Sequence, residues 1–296
     1  MCWSQSTSGW FALIGALMSA DQFRRFYKLY STNQVGSTRM FSQFLLYFTY
    51  TLMELLQHIQ YRVGLENMEG TEGRCVQSLL ESPNVFFSLV AHFLVWLQPV
   101  VHNYWILHNS KKGKLAFKLS LTLAWITLIV ATISLVMGYN NMFGFGKPEI
   151  AHNHTPVDPA IIFGVHVHNV DSKLCSYQGP NHLFWMFPYH PMWNYSSANW
   201  FVWLAITIIP HFFRRSIGFR DFLGNNIVVG CGVFSGWIAS VVVTLTVGNG
   251  YQHEIPSYWC LISMPFLILP YLVALIFKPK RFNFDETLYL KNKKVD

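Results

Sequence analysis

Apolar residues run through this chain in seven long stretches separated by polar or basic segments. The stretches cover residues 3–20, 41–60, 84–108, 115–138, 197–213, 225–248 and 257–277. A helix needs about 20 such residues to cross a hydrocarbon core, so each stretch predicts a transmembrane helix. The predicted fold class is all-α, a polytopic membrane protein built as a seven-transmembrane-helix bundle. It occupies residues 1–277, with a long loop at 139–196 and a basic tail at 278–296. The first stretch has the flanks of a retained anchor: Arg24, Arg25 and Lys28 follow it, whereas a cleaved signal peptide carries its positive charge in front.

Composition supports this reading. Hydrophobic residues make up 52% of the chain and charged residues 12%, about half the charge of a soluble domain. Aromatic residues reach 17% and gather at the ends of the apolar runs, as interfacial rings do. The net charge of +7 does not point to nucleic acid, because Lys and Arg fall in short clusters beside apolar segments. Of the 21 Lys and Arg, 17 fall in alternate loops and the tail, and only Arg62, Arg74, Lys147 and Lys173 lie on the other side. Positive residues near helix ends stay inside, so the N-terminus is expected outside and the C-terminus in the cytoplasm.

Two features outside that count agree with it. The sequons at Asn153 and Asn194 both lie in the loop assigned outside, where glycosylation would reach them. Four of the five cysteines, Cys2, Cys75, Cys175 and Cys260, lie at or beyond outer helix ends, in the compartment that permits disulfides. Expected links are Cys75 with Cys175 and Cys2 with Cys260, with free thiols the alternative. The expected location is an integral membrane of the eukaryotic secretory pathway or plasma membrane, or a viral envelope.

Candidate chemistry concentrates on two helices. In the second, Tyr47, Tyr50, Glu54, Gln57, His58 and Tyr61 follow three- and four-residue steps and share one stripe. In the third, Ser88, His92, Pro99 and Asn103 form a comparable stripe, with Gln98 and His102 turned to another side. An ionisable group inside a bilayer normally faces the bundle and has a partner. At 1.5 Å per residue, counting from the outer edge puts Glu54 and His92 at one depth, so the two are expected to pair. Glu54, His58, His92, Gln57 and Asn103 thus form the expected ligand or ion site; a polar pair that only fixes helix register is the alternative. In the sixth helix Gly232, Gly236, Ser240, Thr244 and Gly248 recur every fourth residue, a seam for close helix packing.

The long outer loop offers weaker chemistry. His152, His154, His166 and His168 would project pairwise from an extended segment, a geometry suited to zinc or copper. Incidental surface histidines are the blander reading, and no cofactor is firmly implied. The proline-broken stretch 179–193 is expected at the outer interface, with Trp185 and Trp193 forming either a lid or part of an aromatic belt.

The opening Met1-Cys2-Trp3-Ser4, the Leu-Met-Glu-Leu-Leu-Gln run at 52–57, Leu-Gln-Pro-Val at 97–100 with Asn103, and Gly-Pro-Asn-His-Leu-Phe-Trp at 179–185 carry a resemblance. They resemble an uncharacterised family of seven-helix membrane proteins of large DNA viruses and microbial eukaryotes. That resemblance implies a viral or protist source and brings no activity. Better-known families fail at their defining residues. The last helix has no lysine to hold retinal, the third ends in His108-Asn109-Ser110 instead of the receptor Asp-Arg-Tyr, and the last two helices lack the histidine pair of ceramidase-like hydrolases.

Three functions stay open. The lead is a receptor-like or ligand-binding bundle with a polar cavity in its outer half. The second is a proton or cation pathway through Glu54, His58 and His92, then Gln98, His102 and His211. The third is a metal-dependent membrane enzyme, which ranks lowest. Expected partners are the lipid bilayer and an unidentified ligand, ion or protein, with no nucleic acid and with homo-oligomerisation open.

Overall fold

The computed structural model describes residues 5–34, 36–67, 72–110, 114–140, 142, 160–162, 165–167, 173–179, 182–189, 196–213, 226–246 and 254–276. These residues form seven helices: α1 (Gln5–Ser31), α2 (Ser37–Val63), α3 (Pro83–His108), α4 (Lys114–Tyr139), α5 (Ser196–Phe213), α6 (Asn226–Thr246) and α7 (Ile255–Ile276). Each coincides with one of the apolar stretches in the sequence.

α1 and α2 extend well past their apolar segments, and local chemistry explains why. Asp21 pairs with Arg24 at 3.1 Å and Arg25 at 2.8 Å, three and four residues on, and it also accepts a hydrogen bond from Tyr271 of α7. Phe23 and Phe26 pack at tilted angles against Phe44 and Phe41, which carries the α1–α2 contact beyond the apolar run. The chain then reverses at Gly36, whose φ of 106° is open to glycine. α3 starts on a conventional cap: Ser82 accepts from the Val85 amide, and Pro83 occupies the first turn.

The all-α expectation needs one correction. The long loop holds two antiparallel hairpins, β1 (Ala160–Ile162) with β2 (Val165–Val167), and β3 (Cys175–Gln178) with β4 (Leu183–Met186). Cys175 faces Met186 and Tyr177 faces Phe184. The four residues of β4, Leu-Phe-Trp-Met, are all buried, so its two faces are covered and the strand reads as one apolar run. A Cys75–Cys175 disulfide fastens this hairpin to the segment before α3, as the cysteine positions predicted.

α1 packs on α2, α2 on α3 and α7, α3 on α4 and α5, and α6 on α5 and α7. Gly15 permits a close approach of α1 to α2 and α7, since a Cβ there would run into Thr51 of α2 and meet Met264 of α7. The small-residue seam of α6 faces α7: a Cβ on Gly236 would stand 3.2 Å from Trp259, and Ser240 and Thr244 are wholly buried. Their hydroxyls donate to the carbonyls of Gly236 and Ser240 one turn back, which satisfies them without an outside partner. Gly248 and the side-chain position of Gly232 lie outside the described residues.

Polar side chains are buried beside an apolar core that includes Met53, Trp203 and Met264, while other apolar side chains stand exposed. Ser42, Glu54, Gln57, Ser88, His92, Asn103, Thr207 and His211 are buried, while Trp10, Leu13 and Leu17 of α1 and Leu119, Leu123, Ile126 and Ile133 of α4 are exposed. By length and hydropathy α3 and α4 match membrane-crossing helices, and shorter apolar segments occur at Val202–Phe213, Phe234–Thr244 and Ile255–Leu269.

Candidate functional site

Four helices, α1, α2, α3 and α7, supply the groups around Glu54. The α2 stripe turns inward as its spacing predicted, leaving Glu54 and Gln57 each 1% exposed. Ser8 of α1 donates to Gln57 Oε1 at 3.4 Å and also lies near the Glu54 carboxyl. From α7, the Cys260 thiol stands within electrostatic reach of both Glu54 and Tyr50 and contacts Gln98 of α3. Both Glu54 oxygens, Gln57 Nε2 and Gln98 Nε2 are buried and have no hydrogen-bond partner among the described residues. Buried polar atoms are nearly always satisfied, so four orphans in one cluster are unusual.

Below Glu54, one turn along α2, a continuous chain begins. The Tyr50 hydroxyl lies 2.8 Å from His102 Nε2, and His102 Nδ1 lies 3.1 Å from His211 Nε2 on α5. His211 packs against Trp105 of α3. The chain therefore couples α2, α3 and α5.

His92 does not join Glu54, contrary to the depth argument. Its Nδ1 meets the Tyr189 hydroxyl at 2.6 Å and its Nε2 meets Thr132 Oγ1 at 3.1 Å. Thr132 donates its own proton to the Leu128 carbonyl, so it accepts from His92 Nε2–H. That leaves Nδ1 as acceptor for the Tyr189 hydroxyl, which in turn accepts from the Trp96 indole at 2.9 Å. The azimuth of His92 carries it toward α4 and the chain after β4.

Other expected site residues serve the frame. Asn103 donates to the carbonyls of Pro99 and Ile206 and accepts from Ser120, joining α3, α4 and α5. His58 Nδ1 binds the Gln5 carbonyl at 2.7 Å, close to Gly9, and so holds the start of α1. Cys260 is a free buried thiol within the Glu54 cluster, which corrects the proposed link to Cys2. Cys2, His152, His154, His168, Asn153, Asn194 and Trp193 lie outside the described residues, as does the side chain of His166. Among the described residues no three His, Cys, Asp or Glu side chains are placed to hold a metal ion.

The β3–β4 hairpin is bonded to α2, α3 and the start of α7. Gln60 donates to Ser176 Oγ at 2.7 Å and accepts from the Trp185 indole at 3.0 Å. Asn84 bonds both the amide and the carbonyl of Ser176, whose hydroxyl lies 2.6 Å from Ser88. Ser257 of α7 donates to the Leu183 carbonyl, and Glu254 accepts from the His182 amide at 2.7 Å. Trp185 is thus buried among these groups, which speaks against the aromatic-belt alternative for it. The sequence signals for Gln60, Ser176 and Tyr189 were faint, because these residues matter through partners about a hundred positions away.

Burial pushes the His182 imidazole down to about 4, only partly offset by a hydrogen bond with the Leu183 backbone. No partner satisfies its Nδ1 among the described residues. Tyr189 shifts the other way: burial raises its phenol well above the usual range, against the opposing bond from Trp96.

No protein-family model matches the chain, and no solved structure matches it. The chain is 26% identical over 266 residues to an uncharacterised protein of Acanthamoeba polyphaga mimivirus, an alignment that spans 89% of this chain and 91% of the other. The likeness is distant and runs nearly end to end. It agrees with the viral side of the resemblance and brings no activity with it.

Proposed function

We propose that the chain is a membrane-embedded, receptor-like seven-helix protein that binds a small ligand in the interior polar site around Glu54. Membrane embedding is supported by the apolar residues exposed along α1 and α4, the buried polar groups and the two helices of spanning length. The 17-to-four division of Lys and Arg supports an N-terminus outside and a cytoplasmic C-terminus. A membrane of the secretory pathway, the plasma membrane or a viral envelope fits that topology.

The observation that carries the binding site is the set of unpartnered buried atoms: two carboxylate oxygens on Glu54 and the amide nitrogens of Gln57 and Gln98. An isolated carboxylate at the bilayer centre costs at least roughly 2.5–3.5 kcal/mol on insertion scales. A ligand that brings a positive charge to Glu54 and acceptor atoms to the two amides would remove that penalty. The chemistry fits a small ammonium compound carrying a carbonyl or hydroxyl group. The hairpin over the outer end would separate the bound molecule from water, as lids do in buried sites.

The experiment is a thermal-shift screen of detergent-solubilised protein against small amino alcohols, amino acid esters and quaternary ammonium compounds. A subset should raise the Tm of the natural protein and leave Glu54→Gln unmoved. Equal stabilisation of both proteins, or of neither across the panel, would reject the site.

A further inference from the structure

α1 continues past its apolar stretch, which ends at residue 20, for about three more turns to Ser31. We infer that these turns form a binding site for an anionic phospholipid, with Arg24 and Lys28 on the headgroup and the rings of Phe23, Tyr27 and Tyr30 beside them. The inference rests on the membrane embedding proposed above and is independent of the Glu54 ligand. The placement of the charges carries it. Trp10, Leu13, Leu17, Ala20, Arg24 and Lys28 follow three- and four-residue steps, so they share one face of the helix, and all of them are exposed. The opposite face, through Ser8, Ala12, Gly15, Ser19 and Gln22, is buried. A face that would meet acyl chains thus runs straight into two cations. Leu17 and Arg24 lie about 10 Å apart along the axis, a rise that takes the face from the hydrocarbon region into the headgroup layer.

The local charge balance favours an anion. Asp21 is the one carboxylate among residues 1–53, which also carry Arg24, Arg25, Lys28 and Arg39. Asp21 is engaged by Arg25 at 2.8 Å and by the Tyr271 hydroxyl of α7. Arg39 is turned to Asn109 at 2.7 Å. Arg24 makes one 3.1 Å contact to Asp21 while its side chain stays 82% exposed, so most of its N–H donors can reach a phosphate. Lys28 stands exposed one turn further on.

The neighbouring stripe identifies the anion as a lipid. Phe23, Tyr27 and Tyr30 follow four- and three-residue steps beside the basic face and are 46, 61 and 62% exposed. Amphipathic rings of this kind rest at the membrane interface, and a helix that pairs them with Lys and Arg lies against anionic lipid. A free phosphate would satisfy the cations and leave the aromatic stripe in water, whereas a phospholipid covers both. A net negative headgroup is preferred because a zwitterionic one brings its own ammonium toward Arg24 and Lys28.

The test is native mass spectrometry of the full-length protein in detergent, titrated separately with phosphatidylserine and phosphatidylcholine, and with inorganic phosphate as competitor. The natural protein should bind its first phosphatidylserine about tenfold more tightly than phosphatidylcholine. Arg24→Gln/Lys28→Gln should bind phosphatidylserine about tenfold more weakly than the natural protein, with phosphatidylcholine unchanged. Lys114→Gln/Lys118→Gln, which removes the same charge from the exposed start of α4, should keep the preference. Circular dichroism verifies folding; if the double α1 variant fails, Arg24→Gln and Lys28→Gln decide singly, each losing part of the preference. A folded α1 variant with the full preference, or an equal loss in the α4 variant, would overturn the site. Displacement of phosphatidylserine by inorganic phosphate at matched concentration would overturn the lipid as its occupant. In each of those outcomes phosphatidylcholine is still bound, whereas binding of neither lipid would reject the membrane reading as well.

Discussion

At the residue scale, the same polar side chain takes opposite roles according to whether its partners are local or distant. Glu54 and Glu66 are both buried carboxylates. Glu66 accepts from the amides of Asn67, Glu72 and Arg74 and so organises the loop before α3, whereas Glu54 has no hydrogen-bond partner among the described residues. His182 shows the linkage of such burial to pH. Its folded value of about 4 lies below the ordinary 6.5, so the unfolded chain binds a proton that the folded chain refuses. Stability is therefore full above about pH 6.5, falls as the pH drops toward 4, and levels off below it. The total change is roughly 3 kcal/mol. Thermal melts from pH 7 to 4 should show this slope, and His182→Gln should flatten it; an unchanged slope would assign it to other groups.

At the element scale, the β3–β4 hairpin behaves as a plug held on three sides. Gln60, Asn84 and Ser88 hold Ser176 and Trp185, Ser257 and Glu254 hold the turn side, and the Cys75–Cys175 bond closes a separation of 100 residues. In the chain-entropy view a loop of that length stabilises by about 4.7 kcal/mol. Hydrogen–deuterium exchange should find the β3 and β4 amides protected in the oxidised protein. In Cys75→Ala/Cys175→Ala they should exchange at least a hundredfold faster, with the middle of α2 and α3 unchanged. Loss of protection throughout α2 and α3 would mean that the hairpin is part of the bundle core instead of a separable plug.

At the scale of the whole molecule, the orientation proposed from charge can be tested directly. The sequons at Asn153 and Asn194 lie outside the described residues, and the proposed orientation would put them outside the cytoplasm. Expression in eukaryotic cells should give a product shifted by endoglycosidase, with the shift lost in Asn153→Gln/Asn194→Gln. Glycosylation of a sequon placed between Arg214 and Arg220 would reverse the orientation. The number and order of helices were legible in the sequence because hydropathy is local: each apolar stretch became one helix. The Cys75–Cys175 link and the inward α2 stripe were legible too, one from shared sidedness and the other from helical period. Azimuth and long-range pairing were not. Depth along a helix can be counted, but its rotation and the partner it meets depend on how all the neighbours pack. That is why His92 went to Tyr189 and Thr132 while His102 met His211, and why a hairpin packed onto α2 and α3. The sequence by itself determined the helices and the polar groups they would bury; only the tertiary structure decided which of those groups would satisfy one another and which would remain unpartnered.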